Sequence, residues 1–168
     1  SSSSEAVPAT PTQRVTDCQT AQQKYPDQFA VQRTVTQDAK GRIFRWPLQY
    51  SKKVELIVAH HTALEVQKTG RSAVDRVRAL YAYHSNSLGW GDVGYNFIID
   101  EAGQIYEGKY GGRFVVGGHA YCNNINTLGV ALMGNFELEQ PTQKQVQALQ
   151  WLTQELAQEY GINMAAPV

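Results

Sequence analysis

Apolar side chains fall in a few short runs and stripes along the chain, separated by glycine-rich stretches. Val54, Leu56, Ile57, Val58 and Ala59 form a run with β-branched residues, which predicts a buried central strand. From Ser72 to about Ser85 the spacing of Val74, Val77, Leu80 or Tyr81, and His84 predicts a helix, with Ser72 as its N-cap and Arg71, Asp75, Arg76 and Arg78 mostly on other faces. Tyr95, Phe97 and Ile99 then alternate with Asn96, Ile98 and Asp100. A turn at Asp100–Gly103 leads into Gln104–Glu107, so this stretch predicts a β-hairpin. Leu128–Met133 is a second continuous apolar run and predicts another buried strand.

The last helix has the fullest signature. Thr142 and Gln145 fit a capping box, and Val146, Leu149, Leu152 or Thr153, Leu156 and Tyr160 recur at steps of three or four, with Gly161 as the stop. Strand, helix, hairpin, strand and helix, in that order, predict an α/β fold: one domain with a central mixed β-sheet flanked by α-helices. Residues 1–14 are Ser, Thr, Pro and Ala with little to bury, and predict a disordered tail or linker. Residues 15–50 stay polar, with Tyr25, Phe29, Val31 and Val35 as scattered anchors. They read as an extension packed on a main domain of residues 51–168.

Composition narrows the class. Fifteen basic and fifteen acidic residues cancel, and no basic block appears, which argues against nucleic acid as the main partner. No apolar run approaches the roughly 20 residues of a membrane-spanning helix. The chain opens without Met or a signal peptide, as expected of a processed form. The two cysteines, Cys18 and Cys122, are either one long-range disulfide or two free thiols.

The candidate chemistry lies in the four histidines: His60, His61, His84 and His119. His60 and His61 close the first strand and must point to opposite faces, so they cannot share a role. A catalytic zinc needs about three protein ligands and an open position for water. His60, His119 and Cys122 are a chemically possible set, although no HExxH or CxxC spacing marks one. The bland alternative has both strand-end histidines satisfying backbone groups, and His84 as a core or capping residue.

The order of the pieces adds a resemblance. VAHHTA, then YHSNSLGWGDVGYNFIIDEAGQIYEG, then VVGGHAYCNNINTLGVALMGNF closely resembles the type 2 N-acetylmuramoyl-L-alanine amidases, a family that includes peptidoglycan recognition proteins and phage lysozymes of amidase type. The match runs from about Val54 to Tyr160. The resemblance implies a secreted or cell-envelope zinc hydrolase that cuts the amide between N-acetylmuramic acid and L-alanine, with peptidoglycan as partner and a monomeric state. By position it implies His60 as a zinc ligand and Tyr95 as the catalytic tyrosine. His61, His84, Trp90, His119 and Asn124 would line the substrate groove.

One departure bears on activity. The resemblance places the second zinc histidine after the final helix, followed by a cysteine or aspartate, whereas this sequence ends at Met164–Val168. The remaining ligands are therefore expected beyond Val168. The alternatives are a muramyl-peptide binding module without catalysis and a site rebuilt with His119 or Cys122. Use of the fold for a purely structural or inhibitory role is a further reading.

Overall fold

Strand β1 (Leu56–His61), strand β2 (Phe97–Ile99), strand β3 (Ile105–Glu107) and strand β4 (Thr127–Leu132) form one sheet in the order β1-β4-β2-β3. The structure, a computed structural model, describes residues 48–65 and 70–165. The expected tail, most of the expected N-terminal extension, and Cys18 lie outside the described residues. Strand β4 runs parallel to both β1 and β2, while β3 returns antiparallel to β2, so the sheet is mixed as the sequence predicts.

The central strand is not the predicted one. Among the described residues β1 pairs with β4 alone and is only half-buried, whereas all six residues of β4 are buried. Alternation along β4 shows why. Leu128, Val130 and Leu132 face one side and pack with Val54, Ile99, Leu152 and Leu156. Thr127, Gly129 and Ala131 face the other side, where small side chains let the 108–126 loop approach closely.

Helix α2 (Gln143–Tyr160) covers the Leu128 side through Leu152, Leu156 and Ala157. Its ends match the sequence reading. Thr142 and Gln145 form the capping box, and Gly161 takes the left-handed conformation at φ 68°. Gln145 does more than cap. Only 1% exposed, its amide donates to the Met133 and Ile99 carbonyls at 2.8 and 3.4 Å, tying α2 to β4 and β2.

Helix α1 (Ala73–Ala82) covers the opposite side, with Leu80 meeting Val93, Ile98 and Met133. The predicted stripe needs correction: Val74 and Tyr81 are exposed, and Arg76 is buried, paired with Glu101 of the hairpin turn. The helix then widens into a π-helical turn, Tyr83–Ser87, which holds His84 and Ser85 inside. The hairpin forms as expected. Asp100 Oδ1 accepts from the Ala102 and Gln104 amides, and Gly103 takes φ 82°, where glycine is favoured.

Candidate functional site

The face of the sheet opposite α2 carries a cluster of rings contributed by three separate segments. His60 stands in register with Ala131 of β4 and Ile98 of β2, so its side chain shares the face of the α1-side core. His119 arrives from the glycine-rich loop and Tyr95 from the segment just before β2. The imidazoles meet edge to face, with His60 Nε2 and His119 Nδ1 at 2.9 Å. Tyr95 lies tilted against His60 at 5.5 Å between ring centroids.

His119 is seated by an absence. A β-carbon at Gly129 would lie 2.6 Å from His119 Cδ2 and 2.7 Å from Nδ1, so the ring fits only over a glycine. Asn96 sets this geometry from behind. Buried at 4%, it accepts from the Gly129 amide and donates to the Val115 carbonyl, at 2.8 and 3.0 Å, locking β4 to the loop that delivers His119. On its other edge His119 Nε2 lies 3.2 Å from the Thr127 hydroxyl. The sequence reading did not select Thr127, Gly129 or Asn96. The alternation of Thr127, Gly129 and Ala131 in an otherwise apolar strand was the available signal.

His61 points to the other face, as alternation requires. Its Nδ1 accepts from the Phe136 amide at 3.0 Å and its ring stacks on Phe136. It therefore lies apart from the His60–His119 pair. Tyr95 does not follow Phe97 and Ile99 into the α2-side core, because it precedes the regular strand and packs on the α1 side instead. Its hydroxyl donates to the His61 carbonyl at 3.5 Å, a long bond.

Two expected groove residues are engaged within the protein. His84 is only 7% exposed, its Nδ1 accepts from the Gly94 amide at 3.0 Å, and its ring stands behind Trp90 and Tyr95 at 4.8 and 5.7 Å. It backs those rings from within. Asn124 turns its Oδ1 back onto the Ala120 amide at 2.8 Å and holds the loop closed. Trp90 is half-buried over Gly94, where a β-carbon would meet its ring at 3.0 Å.

Burial sets the protonation of these groups. It lowers the pKa of His84, and lowers that of His60 with help from the His61 charge. It carries His119 down to about 4, with the His60 charge adding to the effect. Burial raises the Tyr95 phenol. Near neutral pH the cluster is therefore a set of uncharged imidazoles beside a protonated phenol, able to give and accept hydrogen bonds.

A zinc ion would need about three free donors here. Both nitrogens of His119 and Nδ1 of His61 are engaged in hydrogen bonds. Cys122 is disulfide-bonded, which removes it from the His60–His119–Cys122 set and corrects that alternative. Cys18, the other cysteine of the sequence, lies outside the described residues. Among the described residues no three of His, Cys, Asp or Glu come together to hold a metal. The described residues by themselves do not fit zinc.

Comparison with known proteins gives this face a context. A family model described as N-acetylmuramoyl-L-alanine amidase matches residues 50–167. Peptidoglycan-recognition protein SC2 of Drosophila simulans is 38% identical over 95 residues, covering 56% of this chain and 50% of the relative. The chain thus spans about half the length of the curated relatives it matches. Among solved structures, the ectodomain complex of peptidoglycan recognition proteins LCa and LCx bound to tracheal cytotoxin is similar at TM-score 0.64 and 30% identity, covering 74% of each chain. The N-acetylmuramoyl-L-alanine amidase LysC of Clostridium intestinale is similar at TM-score 0.59 and 32% identity, covering 69% of this chain and 70% of that one.

Proposed function

This chain belongs to the N-acetylmuramoyl-L-alanine amidase family, and we propose that its His60–Tyr95–His119 face binds peptidoglycan at the junction of N-acetylmuramic acid and the peptide stem, outside the cell or in its envelope. The observation that carries this reading is that Tyr95 and His119, from distant segments, both meet the His60 ring, at 5.5 and 5.1 Å between ring centroids. Neutral imidazoles and a phenol match a ligand of amides and hydroxyls, because each ring offers a donor or an acceptor without bringing a charge. The structure of two recognition proteins with tracheal cytotoxin supports the ligand class.

Amidase activity is the second reading, and family membership together with the place of His60 favours it. In that reading His60 is one zinc ligand, the other ligands come from outside the described residues, and Tyr95 faces the scissile amide. Calorimetric titration with muramyl tripeptide tests the first reading, with micromolar to millimolar binding expected. No heat and no saturable chemical-shift change would overturn it. Incubation of a chain extended past Val168 with purified sacculi and added zinc tests the second: release of stem peptide bearing a new L-alanine amino group is expected, and intact sacculi would leave recognition alone standing.

A further inference from the structure

The direction of each hydrogen bond around His119 can be read from one group that only accepts. The Thr127 hydroxyl has a single proton, and it lies 2.6 Å from the Asn123 carbonyl. A carbonyl cannot donate, so Thr127 gives its proton there and has only lone pairs left for His119 Nε2, at 3.2 Å. His119 must therefore carry its proton on Nε2 and present a bare Nδ1. That nitrogen lies 2.9 Å from His60 Nε2, so the proton between the rings belongs to His60.

We propose that Thr127 and His119 are positioning residues that fix the His60 proton on Nε2 and leave His60 Nδ1 as a lone pair offered to ligand. Among the described residues His60 Nδ1 has no hydrogen-bond partner, and the His60 side chain is only partly buried. The relay runs from Asn123 through Thr127 and His119 to His60, every proton pointing back toward the backbone and every lone pair forward. A ring with one edge held by a hydrogen-bond acceptor has its tautomer and orientation set for work at the other edge. On the muramyl-peptide reading, on which this role rests, the partner of Nδ1 is an amide N–H of the ligand.

Long-range proton–nitrogen correlation spectra of the 15N-labelled chain test the relay without any ligand. His60 and His119 are both expected as Nε2–H tautomers in the native protein; a proton on His119 Nδ1 overturns the proposal. Thr127→Val removes the hydroxyl at constant shape and is expected to mix the tautomers of both rings, while Thr127→Ser retains the native pattern. In calorimetry Thr127→Val should weaken muramyl tripeptide binding about tenfold, the worth of about 1.4 kcal/mol. Unchanged tautomers or unchanged affinity in Thr127→Val would refute the positioning role. Should the native protein bind no muramyl tripeptide while showing the expected tautomers, the ligand assignment falls and the relay stands. Should Thr127→Val not fold, the native spectrum still decides.

Discussion

The imidazole of His119 occupies the place where Gly129 would carry a β-carbon, 2.6 Å from its Cδ2. Gly129 lies in the central strand, hydrogen-bonded on both sides, so the backbone cannot retreat. Gly129→Ala must push the ring away from His60 or strain the strand. Overpacking of this kind costs about 1–3 kcal/mol. Denaturant unfolding should show that loss, together with altered His60 and His119 resonances; a variant within about 0.5 kcal/mol of the native protein with unmoved resonances would contradict it.

His119 titrates at about 4 in the folded protein against 6.5 in an unfolded chain. Between those values the unfolded chain binds more protons, so stability is full above pH about 6.5 and drains as pH falls toward 4. His60 and His84 are shifted the same way by burial and add to the slope. Urea midpoints measured from neutral pH down to about pH 4.5 should fall, and His119→Gln should flatten the fall. An identical slope in that variant would remove His119 from the account.

Tyr95 places its ring against His60 and His84, and its hydroxyl makes a single long bond to the His61 carbonyl. Tyr95→Phe keeps the ring and removes the hydroxyl. Its melting temperature should stay near that of the native protein, while muramyl tripeptide binding weakens by about threefold to tenfold, the worth of one neutral hydrogen bond. A drop in stability with affinity intact would show that the phenol serves the fold instead.

Gln145 is fully buried and holds the ends of two strands to α2. Gln145→Ala leaves the Met133 carbonyl without its side-chain donor and opens a cavity beneath the helix. The expected loss is about 1–3 kcal/mol, with no change in the tautomers of His60 and His119. A change confined to the imidazoles would show that α2 and the ring cluster are coupled.

Local rules made much of the architecture readable. The capping box at Thr142, the stop at Gly161 and the hairpin around Asp100 depend on contacts within a few residues, and each formed where the residues predicted. The apolar runs marked β1 and β4 as strands, but a run carries no information on which strand has neighbours on both sides. That ordering depends on pairings such as Ile57 with Leu128 and Phe97 with Val130, across separations of 71 and 33 residues. Arg76 misled for a related reason: its partner Glu101 sits in a different element.

The site divided along the same line. Alternation alone required His60 and His61 to part, and they do: one meets His119 and Tyr95, the other Phe136. Residue types and their order were enough to single out imidazoles and a phenol as candidate chemistry and to indicate the family. Which imidazoles pair, that His84 faces inward, and which nitrogen of His60 is left bare were decided by tertiary structure. Those properties belong to contacts between segments, and a contact such as His119 over Gly129 exists only after the loop and the central strand have been brought together.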